Sequence, residues 1–199
     1  MSLMKAEQLH LIVHPGFIAE SEDRSLQQGK EIMGAAQAMR AHYVDRIGKM
    51  LPTEVAICML HIPLSKAAKK PKNTLFRQLI DDFREMLGKR LIMIDQSQGV
   101  KNDVWIKEQF ERAIRVASSR GISISPGTPT VAYGETLFCC VPNCAERVNT
   151  SGNFREKTII DAAYCDVDIP GGVDSKQVQR ELPTLQAHFP HTKFSMQPD

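Results

Sequence analysis

Among the residues whose types and spacing could do chemistry, Cys140 has the most favourable setting. It closes an apolar run two residues before Pro142, and proline suits the first turn of a helix. Exposed amides and the helix dipole at such a start stabilise a thiolate, and a thiolate is the nucleophilic form of the residue. A small buried filler is the competing role, because cysteine is among the most buried residue types. Asp166 and Asp168 form a second constellation. Two carboxylates two residues apart at a strand exit could hold Mg²⁺ beside a phosphate. Pro170-Gly171 follows directly, so the same residues also read as a polar turn, and no metal is the leading expectation. Lys66, Lys69, Lys70 and Lys72 could grip an anion, although such a run is more often a solvated loop. The five cysteines lack a CxxC pair, which argues against a structural zinc or iron–sulfur site. An odd count without disulfide-like spacing indicates reduced thiols and a cytoplasmic location.

These side chains need a framework, and the hydropathy pattern supplies one. Leu9 to His14, Glu54 to His61, Leu91 to Ile94 and Lys157 to Tyr164 read as strands, with a final edge strand over Thr192 to Met196. Between them lie helical patterns: about Arg24 to Met50, Thr74 to Leu87 closed by Gly88, and a third from Asp103 as cap to Gly121. A last helix is expected after Asp174, with Pro183 kinking or dividing it. Ile122 to Ile124 starts a strand that Pro126-Gly127 interrupts. Thr130 to Val141 supports two readings, a hairpin around Gly134-Glu135 or a strand that enters a helix. Strands separated by helices imply right-handed βαβ units. The expected fold is therefore one α/β domain over residues 1–199, a three-layer αβα sandwich with a mostly parallel, Rossmann-like sheet of about six strands. Residues 1–4 are expected to be vector-derived or disordered. Parallel sheets bind ligands at the carboxyl ends of their strands, which draws attention to His14, His61, Asp95, Cys140, Asp166 and Asp168.

Composition limits the function classes. With 42% hydrophobic residues in 199 the chain has material for a proper core, and a net charge of +2 gives no reason to expect nucleic acid or a membrane surface as partner. No apolar run approaches the roughly 20 residues of a membrane helix, and the N-terminus lacks the regions of a signal peptide.

The segment Gly134-Glu135-Thr136-Leu137-Phe138-Cys139-Cys140-Val141-Pro142-Asn143-Cys144-Ala145 resembles the isochorismatase-like cysteine hydrolases. In that family a Gly lies six residues before a Cys-Val pair, and Thr-Ala follows three residues after the Val. Ile159-Ile160-Asp161-Ala162 is similar to the family's next strand, and Val100-Lys101 with Trp105 is similar to the segment that carries its Lys. The departures are specific. Cys144 replaces the Thr, His14 stands where the family has its catalytic Asp, and Gly16 replaces a Gln. About six extra residues near Pro126-Gly127 precede the cysteine segment, a change a surface loop tolerates. The resemblance implies catalysis by Cys140, Lys101 and His14. Cys140 would attack an electrophilic carbon, Lys101 would lower the thiol pKa, and His14 would move the proton in place of Asp. His61, Asp95 and Trp105 are the accompanying candidates for substrate binding. The resemblance implies no cofactor, a small-molecule ligand, and assembly into a homo-oligomer. The function expected is a cytoplasmic hydrolase of an amide or related bond. Two alternatives stand beside it: a catalytically inactive relative that binds a ligand or protein, and a metal-dependent phosphate-processing enzyme using Asp166 and Asp168. The latter pair is similar to the acidic motif of Toprim-type enzymes, without the supporting Glu-Gly.

Overall fold

The fold comes from a computed structural model that describes residues 3–15, 37–38, 40–61, 74–95, 103–135, 137, 139–151, 158–166 and 175–196. In chain order the elements are β1 (Met4–Lys5), β2 (Leu9–Val13), α1 (residues 40–48), β3 (Val55–Leu60), α2 (Thr74–Leu87), β4 (Leu91–Asp95), α3 (Asp103–Ser119), β5 (Ile122–Ser123), β6 (Thr130–Glu135), α4 (Cys140–Thr150), β7 (Ile159–Asp166), α5 (Ser175–His188) and β8 (Lys193–Ser195). A 3₁₀ turn, Gly88–Arg90, joins α2 to β4. Gly88 sits at φ +52°, a left-handed helix stop that residues with a Cβ adopt only at a cost.

Six strands form one sheet in the order β4-β3-β2-β6-β7-β8, and every pairing is parallel. This is the doubly wound arrangement, in which the chain fills one half of the sheet, returns to the centre and fills the other. The switch falls between β2 and β6, paired in register from Leu9 with Thr130 to Val13 with Gly134. β2 and β3 are buried along their whole length. Such strands read as unbroken apolar runs because helices cover both faces of a parallel sheet.

Register assigns the faces. His10, Ile12, Cys58, Val131 and Tyr133 share one of them. α1 covers this side, where Tyr43 and Arg46 meet the Tyr133 ring, and α2 joins it through an edge-to-face contact of Phe83 with Tyr43. α3 and α4 pack against one another, with α3 on β4 and α4 on β6 and β7. The apolar stripe of α2 is Phe76, Leu79, Ile80, Phe83 and Leu87, all buried. Each such side chain contributes about 1.5–3 kcal/mol by leaving water.

Some boundaries differ from the sequence expectation. Thr130–Glu135 is a strand of the parallel sheet and Cys140–Thr150 is a helix, so the hairpin alternative around Gly134-Glu135 is excluded. β5 is a two-residue strand outside the main sheet and pairs with β1, whose Met4 amide donates to Gly121 O at 2.8 Å. The disordered lead expected of residues 1–4 therefore does not extend to Met4. Asp103 is the first residue of α3 rather than a cap in front of it. Pro183 does not divide α5, which runs from Ser175 to His188. Its ring removes one helical amide, a loss that is tolerated because Pro183 and Gln179 are both exposed to solvent. The segments 16–36 and 62–73, which hold the first part of the long helical pattern and the lysine run, lie outside the described residues. No helix among the described residues is long and apolar enough to cross a membrane.

Candidate functional site

The carboxyl edge at the switch point is built from the ends of β2, β3 and β6. His14 follows β2, and its amide extends the ladder by donating to Met59 O at 2.9 Å. Its backbone then turns to φ +48°, the left-handed region, although the side chain is bulky and Pro15 comes next. That conformation costs about 1–3 kcal/mol and persists only where the surroundings impose it. The His14 ring is buried, with 7% of the residue exposed, and meets the His61 ring at the end of β3 edge to face, centroids 5.2 Å apart. Burial pushes the His61 imidazole below its ordinary value, which favours the neutral ring.

Gly134 explains how β2 and β6 approach so closely. It sits at φ +139°, and a Cβ there would fall on the Val13 carbonyl. The glycine six residues ahead of Cys140 thus has a packing role that is independent of any family. Glu135, next in the chain, is 1% exposed and accepts a hydrogen bond from the Tyr43 hydroxyl at 3.3 Å. In the sequence it stands either at a hairpin turn or in a strand that enters a helix. The available signal was one acid flanked by apolar residues, from Val131 to Leu137, in a run too continuous for a surface loop. β6 and β7 shift register between Ala132 and Gly134, after which Glu135 lies opposite Asp166.

Cys140 is the first residue of α4, half-buried and packed against the core. Cys139 precedes it and is exposed. Its side chain makes no capping bond, and the first turn of the helix carries no acidic residue. The helix start therefore keeps the electropositive character that a thiolate or oxyanion needs. Cys58, Cys144 and Cys165 are buried and form no disulfide, and burial pushes Cys58 far above the range in which it could ionise.

Topology brings His14, His61 and the β6–α4 passage to one edge. It gathers the other candidates differently. Asp95 ends β4 and Trp105 lies on α3, and both line a cleft of about 490 Å³ between these two elements. His14 and His61 do not line that cleft. Lys101 and Asp168 lie outside the described residues, and Asp166 is the last residue of β7. Among the described residues no three His, Cys, Asp or Glu side chains converge as metal ligands. His188 and His191 are exposed at the far end of the chain.

A polar cluster hidden beneath α1 was not legible in the sequence. His10 is fully buried, with Nδ1 3.3 Å from the Tyr133 hydroxyl and Nε2 3.2 Å from Glu54 Oε2. The carboxylate can only accept, so the ring carries its proton on Nε2 and accepts a hydrogen bond from the Tyr133 hydroxyl at Nδ1. Burial holds His10 below its ordinary pKa, against the opposing pull of Glu54. Asp161, part of the strand match noted above, is buried with its Oδ2 3.4 Å from Arg46 Nε. Comparison of the chain with protein-family models, with curated proteins and with solved structures finds no match.

Proposed function

We propose that this protein is a cysteine-dependent hydrolase that cleaves an amide or related bond of a small molecule. The observation that carries the reading is His14. It is a buried histidine held in a left-handed backbone at the switch point, just after the strand adjacent to the one that leads into Cys140. Strain of this kind concentrates at functional sites. In the reaction, neutral His14 takes the Cys140 thiol proton. The thiolate bonds to the carbonyl carbon, and the C–N bond breaks as His14 returns the proton to the leaving nitrogen. Water then attacks the thioester, with His14 as base, and releases the acid and the free thiol. The uncapped first turn of α4 supplies amides for the developing oxyanion, and Lys101 supplies a further positive charge. The chemistry requires a reduced thiol and hence the reducing cytoplasm.

The test uses Cys139→Ser protein, which removes the exposed neighbouring thiol. Iodoacetamide should alkylate Cys140 near neutral pH at least tenfold faster than an unactivated thiol, and His14→Asn should remove that advantage. An ordinary alkylation rate, unchanged by His14→Asn, overturns the hydrolase reading and leaves a ligand-binding module as its successor.

A further inference from the structure

The cleft between β4 and α3 has its own chemistry, independent of Cys140. One wall is a single stripe of α3. Trp105, Gln109, Arg112 and Val116 line it at spacings of four, three and four residues, which place them on one helix face. The opposite wall is β4 from Ile92 to Asp95, the outermost strand of the six-stranded sheet. The polar groups are ordered along its length. Asp95 and Trp105 stand at the end where β4 finishes and α3 begins. Arg112 lies about 10 Å further along the helix axis, at 1.5 Å rise per residue. At the far end the Arg120 guanidinium crosses to β4, donating to Leu91 O at 2.6 Å and Lys89 O at 3.3 Å, and closes the cleft.

Two features mark this as a ligand site rather than a packing gap. Arg112 and Gln109 have no hydrogen-bond or ion-pair partner among the described residues, yet both line the cleft. Between them and Asp95 the lining is Trp105 with Met93, flat and apolar surface suited to a ring. Cations at one end, a carboxylate at the other and an aromatic wall between select a particular shape.

We propose that this cleft binds a small aromatic or heteroaromatic carboxylate that bears a hydrogen-bond donor at its opposite end. The carboxylate pairs with Arg112, whose planar fork suits bidentate binding, and Gln109 donates to the same group. The ring lies against Trp105 and Met93. The distal hydroxyl or amine donates to Asp95, which would repel an anion in that position. A para-substituted benzene ring laid along the helix axis runs from Trp105 towards Arg112, about 10 Å apart along that axis.

Trp105 is the sole tryptophan of the chain, so intrinsic tryptophan fluorescence reports on this cleft alone. The probe is 4-hydroxybenzoate, with 4-hydroxybenzamide and benzoate as controls, titrated by fluorescence and by calorimetry. Saturable 4-hydroxybenzoate binding is expected, at least tenfold weaker for 4-hydroxybenzamide and at least tenfold weaker in Arg112→Gln. Benzoate should bind more weakly to the native protein and respond less than 4-hydroxybenzoate to Asp95→Asn. Cys140→Ser should bind 4-hydroxybenzoate as the native protein does, which separates this site from the hydrolase reading. Arg112 is exposed, so its substitution leaves the core untouched. Unsaturable titration, or equal affinity in native and Arg112→Gln protein, overturns the proposal.

Discussion

Two histidines four residues apart, one within β2 and one just after it, meet opposite fates. His14 sits where β2 opens onto the sheet edge and meets the His61 ring edge to face. His10 is sealed under α1, between the Tyr133 hydroxyl and the Glu54 carboxylate, with Arg46 and Arg90 adding positive charge nearby. Its environment makes a prediction about acid stability. The folded chain holds His10 below the ordinary histidine value of 6.5, chiefly through burial, so as pH falls the unfolded chain takes up a proton that the native state refuses. The stability contribution is complete above 6.5 and is lost as pH falls from there through the lowered native value. His61, also lowered by burial, acts with the same sign. At Glu54 burial works upward, but the bonds from His10 and the Leu51 amide hold it below its ordinary 4.5, so a second loss begins near that value. Urea midpoints should therefore fall in two stages on acidification. His10→Gln, neutral at every pH, should flatten the first stage. An unchanged slope just below pH 6.5 in that variant would refute the assignment.

At the scale of elements, the passage from β6 into α4 decides whether the edge can work. Gly134-Glu135 within an apolar run carries the same local signal as a hairpin turn, which is why the sequence left two readings open. The tie is broken by partners distant in sequence: β2 on one side and β7 on the other demand a through-going strand. β1 was invisible for a related reason, since two residues show no periodicity. Helices are easier to read. Thr74 to Leu87 matched residue for residue, because its repeating apolar positions and terminal Gly88 are local features. Gly134 offers the test at this scale. Alanine there must adopt φ +139° and thrust its Cβ into the Val13 backbone, which no rotation of a side chain relieves. Gly134→Ala should lose upwards of about 4 kcal/mol, an exceptional cost for one methyl group. Gly127→Ala, which meets open space, should stay within roughly 0.5 kcal/mol of the native protein. Similar urea midpoints for the two variants would show that the close approach of β2 and β6 is not required.

Across the whole molecule, the alternation of strand and helix patterns was enough to give a parallel αβα sandwich, because each βαβ unit has one favoured hand and the order of elements then limits the topology. The site was legible only in part. Strand ends in the sequence placed His14, His61 and Asp95 at the carboxyl edge, but Glu135 and the His10 cluster depend on which residues face one another across the sheet. Charge and spacing along the chain do not encode that. The same long-range construction shapes how the protein unfolds. One continuous core joins residues from Ala6 to Leu185 and includes both faces of the central strands. β2, the first long strand, lies between β3 and β6, so neither half of the sheet keeps its packing once β2 leaves. The described structure therefore contains no partial fold that can stand alone, and unfolding should be a single cooperative transition. Trp105 lies on α3 against β4 at one end of the sheet, whereas far-UV circular dichroism averages over every element. The two probes should give superimposable urea curves with one midpoint. A Trp105 transition that precedes loss of helix signal would mean that the β4–α3 side opens first as a separate unit, and the single-core reading would fail.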